Sequence, residues 1–171
     1  MIQIKPNLFV GLVAAFSLSA CASPAADTSA QAAATAQPDV VVKTEPLHKT
    51  ANLSYKVAGK RYQPTKKIES FSQTGKASWY GPGFHGKKTS SGERFDMNTL
   101  SAAHRTLPIP SYARVTNLSN GKSVVVRIND RGPFHGNRVM DVSKAAAKEL
   151  GFIHTGTANV KVCLLYTSPS P

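Results

Sequence analysis

Apolar residues recur with a period of two over several short stretches in the second half of the chain. That spacing sets one face of a β-strand against a core and the other toward water. Residues 75–80 (GKASWY) read as the first such strand, and residues 112–117 (YARVTN) and 123–128 (SVVVRI) as two more. Asn120-Gly121 lies between those two and is the dipeptide best suited to a tight hairpin turn. Residues 138–142 (RVMDV) and 157–165 (TANVKVCLL) complete the set. Between them Ser143 is placed to cap a short helix, KAAAKEL, which Gly151 stops. Many short strands around one short helix, crossed by glycine-rich loops, predict a mainly β fold closed into a small barrel rather than a sandwich or an α/β sheet.

The first strand is followed by thirteen residues dense in Gly, Ser and Pro, GPGFHGKKTSSGE, a long loop of the functional kind. Ahead of the barrel, over residues 51–74, Tyr55, Val57 and Tyr62 alternate around Gly59-Lys60 and predict a hairpin or arm. The barrel itself is expected over 75–165 and an unstructured or non-native tail over 166–171. Residues 21–50 are mostly Ala, Ser, Thr and Pro with little to bury, which predicts a disordered tether. The chain opens with Lys5 and an apolar stretch, residues 8–20, too short to span a bilayer. Small residues then stand directly before Cys21 in LSAC. Residues 1–20 therefore read as a signal peptide ending in a lipobox, which resembles bacterial lipoprotein precursors. Cys21 would become the first mature residue, lipidated on thiol and amine, and more than one acyl chain on one residue gives stable anchoring. Ala22, where an inner-membrane retention signal would show Asp, favours the outer membrane, facing the periplasm.

Cys21 and Cys163 are the two cysteines, so neither a disulfide framework nor a cysteine zinc cluster is available. The domain must be held by its own core. With 21 Lys and Arg against 9 Asp and Glu the formal charge is +12. In an exported protein nucleic acid is not the expected partner, and such a field suits lipid headgroups or anionic wall polymers. One such polymer is peptidoglycan, whose muramic lactyl carboxylate is freed when the stem peptide is removed.

His85, His104, His135 and His154 have no metal-ligand spacing, so no metal and no cofactor is expected. Ser90 and Ser91 lack a Gly-x-Ser-x-Gly elbow, and the glycine-rich loop lacks Walker spacing. Acid–base chemistry by carboxylates remains. Glu93 closes the long loop, His104 follows in SAAHRTLP, and Asp130 ends an apolar strand in RINDRGPF. Each has a plainer alternative: a solvated loop charge for Glu93, a hydrogen-bonded core residue for His104, an Asx turn for Asp130, and a partner of Arg138 or Arg131 for Asp141. Trp79, Tyr80, Phe84 and Phe134 flank these positions, as sugar-stacking faces or as core. Lys87, Lys88 and Arg131 could meet lactyl carboxylates.

The blocks GKASWYGPGFHGKKTSSGERFDM, LSAAHRTLPIPSYARVTNLSNGKSVVVRINDRGPFHGNRVMDVSKAAAKELGF and YKVAGKRYQP resemble the rare lipoprotein A family of septal lytic transglycosylases, over roughly residues 55–162. The resemblance implies a six-stranded double-psi β-barrel with one or two short helices, shared with barwin and expansins. It also implies cleavage of the β-1,4 bond between N-acetylmuramic acid and N-acetylglucosamine with formation of 1,6-anhydro ends, on glycan strands stripped of stem peptides. The family's functional positions fall on Glu93, His104 and Asp130. Asp130 would be the acid/base, Glu93 an ionised neighbour that keeps a proton on it, and His104 an orienting group. Trp79, Tyr80, Phe84, Arg131, Phe134 and Asp141 would hold the substrate. Longer members carry a C-terminal peptidoglycan-binding repeat domain, which does not follow here, and divisome or amidase partners belong to the same expectation. The rival reading is a non-catalytic peptidoglycan-binding or expansin-like wall-loosening lipoprotein.

Overall fold

The computed structural model describes residues 40–65 and 70–167. The expected signal peptide, Cys21, the tether as far as residue 39 and the last four residues lie outside them. A hairpin, β1 (Tyr55–Val57) and β2 (Lys60–Tyr62), precedes six longer strands and one helix. These are β3 (Ser72–Trp79), β4 (Ser101–His104), β5 (Ser111–Asn117), β6 (Ser123–Asp130), β7 (Arg138–Val142), α1 (Lys144–Glu149) and β8 (Thr157–Thr167). The six strands close into a barrel in the order β3-β7-β4-β6-β5-β8, as the alternation and the resemblance predict. Two neighbouring pairs, β3–β7 and β4–β6, are parallel, and the remaining neighbours are antiparallel. A parallel pair cannot be joined by a tight turn, so the chain has to cross the barrel in long connections. One of these is the glycine-rich loop between β3 and β4.

Alternation places Ala113 and Val115 of β5, Val124, Val126 and Ile128 of β6, and Val160 and Val162 of β8 in the interior, none more than 5% exposed. Leu107, Ile109 and Phe152 fill the ends from connecting segments that carry no strand pattern. The alternation missed β4, and the reason is physical: all four of its residues are buried, so no polar face marks it. Strand β3 begins at Ser72, three residues before the expected start, because Ser72–Thr74 pair with Cys163–Lys161 of β8 while their side chains stay near solvent. At the other end β8 runs to Thr167, where a tail was expected, since its backbone still pairs with Ser111. The helix is capped as its sequence implies, with Ala146 N–H donating to Ser143 Oγ at 3.2 Å and Gly151 following at φ +75°.

The end of the expected tether is fastened to the barrel. His48 N–H donates to Ile109 O at 2.8 Å, and Asn52 exchanges two bonds with the Ile109 backbone, Nδ2 to O at 2.6 Å and N–H to Oδ1 at 2.9 Å. Polar side chains, not buried apolar surface, do the holding, which is why composition reads this stretch as unstructured. Beyond it the hairpin stacks Tyr55 on Tyr62, ring centroids 5.2 Å apart, and both rings pack on Phe134.

Gly75 of β3 packs against β7, where a Cβ would lie 2.4 Å from Val139 Cγ1. Gly75→Ala is expected to lower stability by ~1–3 kcal/mol through overpacking. Adding Val139→Ala should recover part of that loss, measured by denaturant unfolding of the two variants.

Candidate active site

Strand β6 delivers Asp130 at its last position. Asp130 Oδ1 accepts three hydrogen bonds, from Ser90 N–H at 2.8 Å, Ser90 Oγ at 2.7 Å and Arg131 N–H at 2.8 Å. The Arg131 N–H also reaches Ser90 Oγ at 3.1 Å, so the serine hydroxyl donates to the aspartate and accepts from the next residue. Among the described residues no donor meets Oδ2. An Asx turn would instead take the N–H two residues on. Asp130 is therefore held by a loop forty positions away in sequence, with one oxygen fixed and the other left over. Gly132 follows at φ +142°, a conformation that side-chain-bearing residues rarely adopt, and turns the chain away directly after the carboxylate.

The site opens into a cleft of about 520 Å³. Trp79, Tyr80, Phe84 and Phe134 wall it together with Asp130 and Asp141. Phe84 is more than half exposed on a one-turn 3₁₀ segment, with Lys87 Nζ 5.2 Å above its ring. Tyr80 lies deeper, against Phe95 at 4.2 Å between centroids. Its hydroxyl is buried close to that of Ser101, and neither makes a well-formed hydrogen bond among the described residues. Burial, and then the charge of Asp130, push the Tyr80 phenol well above its ordinary range. Asp141 Oδ1 accepts from Ser78 Oγ at 2.6 Å and pairs with Arg138 Nε at 3.1 Å, the partner the sequence spacing suggests. A second, longer contact from Arg138 Nη2 to Asp141 Oδ2 at 3.5 Å makes the pair two-pronged.

Glu93 and His104 stand apart from Asp130. Glu93 makes a bidentate pair with Arg127, Oε2 to Nη1 at 2.7 Å and Oε1 to Nη2 at 2.9 Å, and accepts from Asn129 Nδ2 at 3.3 Å. It lines a different groove, of about 680 Å³, with Glu45 and Tyr112. The separation arises on β6. Ala102 and Ala103 of β4 pair with Ile128 and Asp130, which leaves Asn129 as an extra residue, and such bulges re-aim side chains. Arg127 and Asn129 serve one groove and Asp130 the other. The Arg127 guanidinium holds the Glu93 carboxyl below its ordinary range, so its charge is neutralised in place rather than available to retain a proton on Asp130.

His104 is 3% exposed. Its Nδ1 accepts from Thr106 N–H at 3.1 Å and Leu107 N–H at 3.0 Å, which leaves the proton on Nε2, 3.0 Å from Gln73 Oε1. Burial, with Arg131 and Arg105 nearby, depresses its pKa to about 3. This is the hydrogen-bonded core histidine of the plainer alternative, and it shapes the turn that receives Arg131.

Arg131 does not present its guanidinium to a ligand, contrary to the sequence expectation. Nε donates to Ala51 O, Nη1 to His104 O and Leu107 O, and Nη2 to Ala51 O and Asn52 Oδ1, at 2.5–3.1 Å. Five N–H groups thus make five bonds, and none remains. Arg138 and the exposed His135 line the same cleft. The sequence reading did not assign them to the substrate, nor Ser90 to Asp130, because no local pattern ties residue 90 to residue 130. Among the described residues no three His, Cys, Asp or Glu side chains converge as metal ligands.

A family model described as lytic transglycolase matches residues 72–162. An "Endolytic peptidoglycan transglycosylase RlpA" of Neisseria meningitidis serogroup B is 69% identical over 128 residues, 75% of this chain and 54% of that protein. Proteins of the same name from Vibrio cholerae and Pseudomonas aeruginosa are 54% identical over 118 residues and 58% over 108. These cover 69% and 63% of this chain and 45% and 32% of theirs. The chain spans about half the length, or less, of these curated relatives.

The buried neutral His104 makes stability pH-dependent in a definite direction. On unfolding it regains its ordinary pKa of 6.5, so between there and about 3 the unfolded chain binds the extra proton. This contribution is complete above that window and is lost as pH falls, by at most ~1.4 kcal/mol per pH unit. Unfolding free energies between pH 6.5 and 5 should therefore decline with acidification. Replacement by Asn (His104→Asn), which retains an acceptor but cannot titrate, should flatten that slope.

Proposed function

The chain belongs to the lytic transglycolase family, and we propose that it cleaves the β-1,4 bond between N-acetylmuramic acid and N-acetylglucosamine in peptidoglycan, leaving a 1,6-anhydro end. One observation carries the reading: Asp130 has one oxygen held by three donors and the other without a partner among the described residues, in a cleft walled by aromatic rings. A protonated Oδ2 can deliver its proton to the glycosidic oxygen as the bond from muramic C1 breaks. The resulting carboxylate then takes the proton of the muramic C6 hydroxyl as O6 bonds to C1. The proton ends on the N-acetylglucosamine O4, Asp130 is restored, and no water is consumed. One carboxyl acts as acid and then as base, and holding Oδ1 keeps Oδ2 aimed through both steps.

The aromatic walls suit pyranose faces. Asp141 and Arg138, paired across the same cleft, offer an acceptor and donors for sugar hydroxyls. Arg138, His135 and the rim Lys87 offer cations for lactyl carboxylates, which favours strands stripped of stem peptides. Glu93 and His104 enter as supports: Glu93 joins the end of the long loop to β6 through Arg127, and His104 shapes the turn around Arg131. Lipid on Cys21, attachment to the outer membrane facing the periplasm, and divisome or amidase partners complete the proposal from the sequence side.

The test incubates the full chain with intact and amidase-stripped sacculi and analyses soluble products by mass spectrometry. Anhydro-ended fragments are expected, mainly from stripped strands. Asp130→Asn should lower turnover by ~100-fold or more, the usual contribution of a general acid/base. Co-sedimentation with sacculi without anhydro products would replace this reading with the non-catalytic binding one. Ser90→Ala removes one of the Oδ1 donors and should lower kcat by roughly tenfold, with KM little changed, if the interaction matters mainly in the transition state.

A further inference from the structure

The segment leading into the barrel is fastened at two arginines, and each of them also bonds one of the carboxylates discussed above, Arg127 through its guanidinium and Arg131 through its backbone N–H. At its start Glu45 binds Arg127, Oε1 to Nε at 2.8 Å and Oε2 to Nη2 at 2.7 Å, while the same guanidinium holds Glu93. At its end Ala51 O and Asn52 Oδ1 take three of the five bonds of Arg131. Asn52 is only 4% exposed, so its partners are fixed. From there the bonded path is short: Asn52 to the Arg131 side chain, and the Arg131 N–H to Asp130 Oδ1 and Ser90 Oγ.

We propose that residues 45–52 are a strap belonging to the active site, and that Asn52, acting through Arg131, is a positioning residue for Asp130. This rests on the reading of Asp130 as the acid/base. The strap precedes residue 72, where the matched family domain begins, so the working unit is larger than the barrel. Its far side leads toward the expected lipidated Cys21, which ties the membrane-proximal arm to the residue that moves the proton. Without Asn52 Oδ1 one N–H of a buried guanidinium loses its acceptor, and if the Ala51 carbonyl moves with it three do, so the side chain must rearrange. The backbone N–H on the same residue then shifts, and with it the carboxylate. The other charged or titratable groups around Asp130 are Tyr80, after β3, Tyr55, in β1, and Asp141, Arg138 and His135 of the shared cleft.

The test compares the full chain with Asn52→Ala and Asn52→Asp, the second of which keeps an acceptor for Arg131 and for Ile109 N–H. Ser90 makes no bond to the strap, so its amide proton shift reports the Asp130 carboxylate specifically. In Asn52→Ala that resonance should move by several tenths of a ppm, and kcat per folded molecule should fall roughly tenfold at unchanged KM. Asn52→Asp, which keeps the acceptor for Arg131 but loses the Nδ2 donor to His48 O and Ile109 O, should restore both in part. If the Ser90 resonance stays in place in Asn52→Ala while only the unfolding midpoint drops, Asn52 merely stabilises the fold and the proposal is overturned. If the wild-type chain yields no anhydro products, the transglycosylase reading fails by itself, and the Ser90 resonance still decides whether the strap positions Asp130.

Discussion

A guanidinium buried without a carboxylate is tolerable only when every N–H finds an acceptor, and the architecture around Asp130 follows from how Arg131 meets that demand. Its acceptors come from the strap, from the end of β4 and from the turn after it. Burial lowers its pKa to about 10, which still leaves it charged at neutral pH. Because the five bonds span segments far apart in sequence, they fix where β6 ends relative to the long loop. Ser90 can then reach Asp130 with both its amide and its hydroxyl. His104 belongs to the same construction: its ring accepts the two N–H groups of the turn whose Leu107 carbonyl, with its own, accepts from Arg131.

This is also why a cation next to the presumed acid is the wrong one to assign to the substrate. Sequence adjacency suggested that Arg131 meets ligand carboxylates, whereas the fold commits its five N–H groups to protein oxygens although the residue lines the cleft with Arg138 and His135. Glu93 illustrates the same limit. In the chain it closes the loop that holds Asp130, only two residues beyond Ser91, the immediate neighbour of Ser90, yet Arg127 and Asn129 draw it into another groove. A single extra residue in β6 decides which groove each side chain enters, and no periodicity announces it.

What was legible had a solvent face. The alternating strands, the Asn120-Gly121 connection and the Ser143 cap each leave a local mark, because burial on one side or a fixed φ constrains which residues are tolerated. Strand β4, buried throughout, left none, and Leu107 and Ile109 read as loop although both are fully buried. In the site, the aromatic walls and both aspartates gather in one cleft as the sequence suggested. The contact that sets the Asp130 geometry joins residues 90 and 130, a pairing that exists only once the barrel has closed.

The two ends of the strap differ physically, and the difference bears on how the site responds to its surroundings. Glu45 and Arg127 are each partly open to water, so their attraction is screened by salt and weak for its length. Arg131, by contrast, bonds to backbone carbonyls and to a buried amide, contacts that ionic strength barely touches and that are costly to leave unmade. Loosening should therefore begin at Glu45 and stop before Asn52. In that order of release the strap can yield at its N-terminal end while the Asp130 carboxylate keeps its orientation.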